Sequence, residues 1–499
     1  MSLGKVINKA ASVAAAGLVL ASCAVGPDFK RPTAPAVSGF TPEPLTATAQ
    51  ANTPGGAGQN FAAGQDIAAQ WWTLFQSPQL NALIEQSIRN NPSLQAAQAA
   101  LRESQEELAA QKSILFPAVD GKVSALRQKS SVNFGGGGLT PIPAYTVATA
   151  SVSVSYAIDI FGGARRALEG TSAQTEAARF QMEAAYLALT SNVVVTAMQQ
   201  ASLRAQVDAT LSILDLQEQQ LGVLRKQLEL GGIAEADVLT EETAVAQTRA
   251  QLPALQKALA QSRNQLLALA GRYPDDAAAP EFDLAAITLP ENLPVSLPSQ
   301  LVEQRPDIRA SEASLHAASA AIGVAIAEML PQISLNGSYG STASSFDGLF
   351  SPGSAIWSLS GNLTQPIFHG GELLHKKRAA VAVFDGAAAQ YRGTVLAAFQ
   401  NVADVLRALQ ADADAVKAQL AAERAASQSL TIAQNSYQSG AITFLILLDA
   451  QRSYQQARVA LVQAQSNRYA DTAALFVALG GGWWNRADDK VETTVSANN

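Results

Sequence analysis

At 499 residues the chain is long enough for two ordinary domains or one long one. Its 34 basic and 41 acidic residues give a formal charge of -7 with no Lys/Arg-rich block, which leaves no footing for nucleic-acid binding. Aromatics are only 6%, and Ala, Gln, Leu and Ser dominate; good helix formers and small side chains suit long helices packed side by side.

The N-terminus reads as a secretory signal over residues 1–22. Lys5 and Lys9 make a positive start, and Ala10 to Ala21 is an apolar stretch too short to span a membrane comfortably. Leu20-Ala21-Ser22-Cys23 has the form of a lipobox. Cys23, the sole cysteine, is the expected lipidation site and the first residue of the mature chain, a palmitoylated lipoprotein; an ordinary signal whose cleavage site happens to contain a cysteine is the plainer alternative. Ala24 follows it rather than Asp, which points to the outer membrane. One acyl chain anchors marginally, so stable attachment needs further chains or an inserted segment. A lipidated N-terminal segment is expected over 23–75.

A first repeat follows over 76–271. Residues 78–115 read as helix, stopped by Pro117, because proline cannot continue one. Two short strands come next. In 147–158, Ala148, Ala150, Val152, Val154, Tyr156 and Ile158 share one face and Thr149, Ser151, Ser153 and Ser155 the other. Residues 118–127 alternate less cleanly, with Asp120, Lys122 and Ser124 on the polar side. Between them lie Gly135 to Gly138, Pro141 and Pro143. This run lacks the Lys-Ser/Thr of a phosphate loop and reads as an exposed turn. Residues 164–230 contain no proline and carry Leu203, Val207, Leu211, Leu214, Leu221, Leu224 and Leu228 at coiled-coil spacing. Gly231-Gly232 ends that helix, and another runs over 235–270.

Residues 272–298 read as a linker, and 299–484 as a second repeat. It has helices near 299–329, 371–438 and 443–479 with the break at Gly440. Its strands are 332–340 (Ile333, Leu335 and Tyr339 on one face) and 356–364 (Trp357, Leu359 and Leu363), joined across Ser344 to Pro352. Residues 485–499 form a polar tail. The duplication is legible in recurring pieces. Asn91-Pro92 returns as Arg305-Pro306 at a step of 214, Phe161-Gly162-Gly163 as Phe368-His369-Gly370 at 207, and Gly231-Gly232-Ile233 as Gly440-Ala441-Ile442 at 209.

Strands of about ten residues, apolar on one face and small-polar on the other, suit a lipid-facing barrel with a wet lumen; a half-buried soluble sheet alternates in the same way. Four strands cannot close a barrel alone, and open edges in lipid leave backbone groups unpaired at several kcal/mol each. If these strands span a membrane, several chains share one barrel. Three chains give twelve strands and bring the long helices together as a tube.

No catalytic constellation is present: no Gly-x-Ser-x-Gly, no His-Glu-x-x-His, no phosphate loop. His316, His369 and His375 are too scattered for a metal site, so no metal, cofactor or enzyme activity is expected.

Several motifs then stand in a shared order: Cys23-Ala24-Val25-Gly26-Pro27-Asp28-Phe29, Trp71-Trp72 with Phe75, Asn91-Pro92, Asp159-Ile160-Phe161-Gly162-Gly163 and Gly232 to Leu239. Arg305-Pro306-Asp307-Ile308, Leu447 to Ser453 and Ala478-Leu479-Gly480-Gly481-Gly482-Trp483 complete the series. Together they resemble the TolC-like outer membrane factors, in the lipoprotein branch of exit ducts for resistance-nodulation-division (RND) efflux. The resemblance implies a mainly α homotrimer with a twelve-stranded transmembrane β-barrel, a twelve-helix periplasmic α-barrel, a mixed equatorial belt that includes 272–298, and two structural repeats per chain. It also implies drug or small-molecule export from periplasm to exterior, with a periplasmic adaptor and an inner-membrane RND pump as partners. A type I secretion or metal-efflux duct, or a periplasmic coiled-coil adaptor or scaffold lipoprotein, is the alternative.

By the same resemblance, Leu445 supplies a hydrophobic ring at the periplasmic mouth, Asp449 a ring of three carboxylates, and Arg452 polar contacts that hold the closed state. A coiled-coil seam for Leu445 and an ordinary exposed ion pair for Asp449 with Arg452 is the plainer reading. The first-half counterparts of Asp449 and Ile446 are Thr240 and Asp237; by the resemblance, family members with a second carboxylate where Ile446 stands have a more acidic mouth, and its absence here puts a double acidic ring in doubt. The tips at Gly231, Gly232 and Gly440 are the expected docking site for the adaptor.

Overall fold

Proline and glycine decide where the helices of this chain begin and stop. A computed structural model describes residues 24–43, 45, 47–129, 144–276 and 280–486. The expected signal over 1–22, the lipid site Cys23, the glycine run 135–138 and nearly all of the tail lie outside the described residues. The region read as one helix over 78–115 is two: α1 (Pro78–Asn90) and α2 (Pro92–Lys112). Pro92 has no N–H to extend α1 but fits a first turn, and Asn91 Oδ1 caps α2 by accepting from the Ser93 and Leu94 amides at 2.9 and 3.1 Å. The second repeat departs in the same way: 299–329 divides into α5 (Pro298–Gln304) and α6 (Pro306–Ala327) at Arg305. The α6 helix is long and apolar enough to cross a membrane, yet 61% of its apolar window is buried in the protein, as in a core helix.

The long helices follow the expected spans closely. Helix α3 (Gly163–Glu229) has 67 residues, about 100 Å at 1.5 Å per residue, and α4 (Glu235–Leu269) has 35. Helices α7 (Glu372–Gln438) and α8 (Phe444–Ala478) repeat those lengths. Gly163 to Glu372 and Glu235 to Phe444 are both steps of 209. Pro253 sits inside α4 without ending it. The two Xaa-Pro breaks also do equivalent work. Asn91 Nδ2 donates to the Leu269 carbonyl at the end of α4 (2.9 Å), and Arg305 Nη1 to the Ala478 carbonyl at the end of α8 (3.0 Å). Each satisfies a carbonyl that a helix end otherwise leaves open.

Two compact units divide the chain. Of the described residues, the first comprises those within 24–32, 101–178 and 311–391, and the second those within 33–100, 179–310 and 392–486. The first unit holds a four-stranded antiparallel sheet in the order β2-β3-β5-β6, formed by β2 (Ala118–Gln128), β3 (Tyr145–Ile158), β5 (Gln332–Ala343) and β6 (Ala355–Thr364). The register carries the predicted faces across all four strands. Val119 faces Val154, Val152 faces Tyr339, Tyr339 faces Trp357 and Ile333 faces Leu363. On the other face Asp120 faces Ser153, Ser153 faces Ser338, and the Ser338 and Ser358 hydroxyls lie 2.8 Å apart. Val123, Trp357, Leu359 and Leu363 on the apolar face are 72%, 76%, 78% and 67% exposed. Strands β2 and β6 are the open edges.

The N-terminal segment is tied to the first unit. The Val25 amide donates to the Phe161 carbonyl (3.0 Å), and the nearly buried Arg166 pairs with Asp28 (2.6 Å) and Glu169 (2.7 Å). A Cβ at Gly323 would come within 2.7 Å of Arg166 and 2.8 Å of the Val25 carbonyl, so glycine is what permits this approach.

The second unit has its own core, in which Trp71 stacks on Phe476 at 5.2 Å beside buried Trp72 and Phe75. Tyr469 donates its hydroxyl to the Ile287 carbonyl at 2.7 Å. A short parallel pair, β1 (Asn60–Ala63) with β4 (Asn292–Val295), lies here as well, and neither strand is among the elements expected from the sequence.

Candidate functional site

In the second unit, helices α3 and α4 form one hairpin and α7 and α8 another, each turning on a glycine. Gly231 and Gly440 have φ of 71° and 73°. The Gly231 and Gly232 amides donate to the Leu228 and Gln227 carbonyls at 2.9 and 2.8 Å; those of Gly440 and Ala441 donate to Tyr437 and Ser436 at 2.9 and 2.8 Å. This paired closure is the Schellman arrangement, in which a left-handed residue ends a helix. A Cβ at Gly231 or Gly440 would meet nothing within 4 Å. Backbone conformation, not space, asks for glycine at both.

Below the turns lies an apolar cluster. Leu221 and Leu224 of α3, Val238 and Val245 of α4, Leu430 of α7, and Phe444, Leu447 and Leu448 of α8 are buried together. Each such side chain contributes about 1.5–3 kcal/mol when removed from water. The seam foreseen on α3 is buried at Val207, Leu214, Leu221 and Leu224, whereas Leu211 is 43% exposed. One bond pins the two hairpins to each other, the Tyr437 hydroxyl donating to Gln227 Oε1 at 3.2 Å; within the second hairpin the Tyr437 ring meets Phe444 edge-on at 5.9 Å.

Of the residues singled out in the sequence, Leu445 is 63% exposed and Asp449, one helical turn on, is exposed on the same face of α8. Ile446 (52%), Leu239 (53%) and Leu230 (87%) extend the exposed apolar surface near the turns. Arg452 is exposed, and among the described residues no ion pair joins it to Asp449. The Arg–Glu ties of the hairpins are Arg225–Glu242 (2.6 Å), Arg249–Glu218 and Arg458–Glu423 (3.8 Å). Arg452 instead lies on a cleft of about 790 Å³ lined by Gln217, Gln247, Thr248, Gln251 and Gln455.

Glu241 is not among the residues singled out in the sequence. It is 0% exposed, and among the described residues neither carboxylate oxygen has a hydrogen-bond partner. Burial pushes its carboxyl up to about 7, and the charge of Arg452 opposes that shift only in part. Tyr437 is also held above its ordinary value, first by burial and then by Asp237 and Glu241. A signal for Glu241 existed: Val238, Glu241, Val245, Thr248 and Leu252 step along α4 by threes and fours, so the carboxylate stands in the buried seam.

The sequence matches the family described as outer membrane efflux protein over residues 83–272 and 297–481. It is 32% identical over 483 residues to the probable efflux pump outer membrane protein TtgC of Pseudomonas putida, covering 95% of this chain and 96% of that one. The fold is similar to that of the outer-membrane channel OprN, with a TM-score of 0.82, 29% identity, and coverage of 92% of this chain and 100% of that one. It is also similar to the outer membrane protein VceC of Vibrio cholerae, with a TM-score of 0.75, 30% identity, and coverage of 84% and 100%.

Proposed function

We propose, starting from the fact that the chain belongs to the outer membrane efflux protein family and is an outer-membrane efflux channel, that three copies share one barrel and one tunnel. The observation that carries this reading is the four-stranded sheet with an exposed apolar face and two open edges. In lipid those edges need partners. Strand β6 of one copy beside β2 of the next supplies them, and three copies give twelve strands. The polar face, with Ser153, Ser338 and Ser358, then lines the lumen.

Cys23 is the lipid anchor in this reading. Ala24 packs against Gly162, where a Cβ would come within 2.6 Å of the Ala24 Cα, at the foot of β3. That placement supports an acyl chain entering the membrane where the strands do. The hairpin turns form the periplasmic mouth. Leu445 narrows it, Asp449 rings it with carboxylates, and Arg452 helps hold it closed. A periplasmic adaptor docks around Gly231, Gly232 and Gly440, in contact with Leu230 and Leu239, and an inner-membrane pump of the RND type supplies cargo. Nothing in this reading calls for bond chemistry.

Purified in detergent, the protein is expected to have the mass of three chains, and a monodisperse water-soluble monomer would overturn the shared barrel. In planar bilayers Asp449→Ala is expected to raise the resting conductance severalfold while the trimer stays intact. Conductance equal to that of the wild type would remove Asp449 from the mouth.

A further inference from the structure

Glu241 occupies a slot made for a small apolar side chain. The position 209 residues later, in the twin hairpin, is Ala450, and it too is buried, at 7%. Where one hairpin places a methyl group, the other places a carboxyl with two oxygens and no donor for either. A buried ionised carboxylate without hydrogen bonds is strongly unfavourable, whereas a protonated one is a tolerable neutral group. Its helix register places it in the seam of Val238 and Val245 on α4, two members of a buried cluster that draws on both hairpins: Leu221 and Leu224 on α3, Leu447 and Leu448 on α8.

We infer that Glu241 is a proton-operated latch between the two hairpins: protonated, it lets them pack and the mouth close; ionised, it loosens that packing and favours opening. This deepens the reading of the turns as a periplasmic mouth and rests on it.

The charged and titratable groups facing Glu241 are few. Arg452 of α8 acts on it from the rim of the glutamine-lined cleft, and Tyr437 of α7 feels its charge. On α4 itself Asp237 lies one turn away and also acts on Tyr437, while the adjacent Glu242 is taken up by Arg225 of α3. Among the described residues Arg452 alone favours the ionised form, and its exposed guanidinium does not overcome the burial.

The sign follows from linkage. A carboxyl whose value rises from 4.5 in water to about 7 when packed binds its proton more tightly in the packed arrangement. Below pH 4.5 both arrangements are protonated and packing carries no penalty. The penalty grows as pH rises from 4.5 to about 7 and is constant above that. Acid therefore favours the closed mouth, and mildly alkaline conditions favour the open one.

Asp412, whose carboxyl is also pushed up by burial and by a hydrogen bond with Asp471, is a second group that responds to pH. The comparison of variants, rather than a pH profile alone, therefore carries the test. Resting conductance of the reconstituted protein is measured from pH 5 to pH 8 for wild type, Glu241→Gln, Glu241→Leu and, as a control, Glu242→Gln. Wild type and Glu242→Gln are expected to conduct at least about threefold more at pH 8 than at pH 5. The two Glu241 variants stay at the low acid-side value throughout. A Glu241→Gln profile with the wild-type rise, or a wild type that conducts equally from pH 5 to pH 8, overturns the latch. Amide hydrogen exchange over residues 238–245 reads packing independently of conduction. After correction for intrinsic rates, protection is expected to fall from pH 5 to pH 8 in the wild type and to stay constant in Glu241→Gln. If no copy conducts at any pH, the mouth reading fails, and exchange alone decides the proton effect. Identical exchange in wild type and Glu241→Gln also overturns it.

Discussion

The first helical hairpin, α3–α4, and the second, α7–α8, match in length to the residue, yet three positions near their turns carry different chemistry. The first has Asp237, Thr240 and Glu241; the second has Ile446, Asp449 and Ala450. What they share is the frame: a glycine with φ near 70°, a pair of closing backbone hydrogen bonds, and buried apolar residues at Val238 and Leu447. Apolar seam and turn fix the geometry, so charge is free to diverge. One hairpin exposes its acid, Asp449, and the other buries one, Glu241.

The likeness of the two hairpins rests most heavily on the core they share. Leu224 is 0% exposed beneath both turns, and its twin position is the smaller Ala433, buried at 6%. Leu224→Ala is expected to destabilise the protein by about 2–5 kcal/mol in a urea or thermal melt followed by circular dichroism. Little or no change would mean the cluster is not what holds the hairpins together. A smaller effect sharpens the equivalence of the turns. Gly231→Ala and Gly440→Ala each force a Cβ into left-handed backbone, and each is expected to cost about 1–2 kcal/mol. Unequal losses would show that the two turns are not the same device. The smallest effect concerns the exposed ties. Arg249→Ala in the first hairpin and Arg458→Ala in the second are each expected to shift stability by no more than about 1 kcal/mol, fading further in high salt. A large loss at either would mark a surface that the assembled protein buries.

Much of this was legible in the sequence because the signals were local or repeated. The 67- and 35-residue helices were readable from uninterrupted helix formers between glycine breaks, and the sheet faces from strict alternation. Asn91-Pro92 and Arg305-Pro306 were recognised as markers but not as breaks. Their meaning depends on a distant carbonyl, at Leu269 and Ala478, which no local pattern displays. Strands β1 and β4 are four residues each, Asn60–Ala63 and Asn292–Val295, too short to show a period, and they pair across more than two hundred residues. Leu445, Asp449 and Arg452 were visible as an apolar run beside charges. Glu241 was not, because a charged residue on a helix is read by default as solvated, and only its register with Val238 and Val245 says otherwise.

The order of the sheet has a consequence for how the protein is made. Strand β3 ends at Ile158 and its partner β5 begins at Gln332, so the whole first hairpin is synthesised between them. Contacts that distant in sequence form slowly, because a large loop must close before any pairing rewards it. Until then a β2–β3 ribbon with an exposed apolar face has no third strand, which is the kind of species that aggregates. Biogenesis of this chain therefore has a vulnerable interval built into its topology. It begins when the first two strands emerge and ends only when the second repeat arrives, and during it the nascent ribbon depends on being shielded by something other than itself.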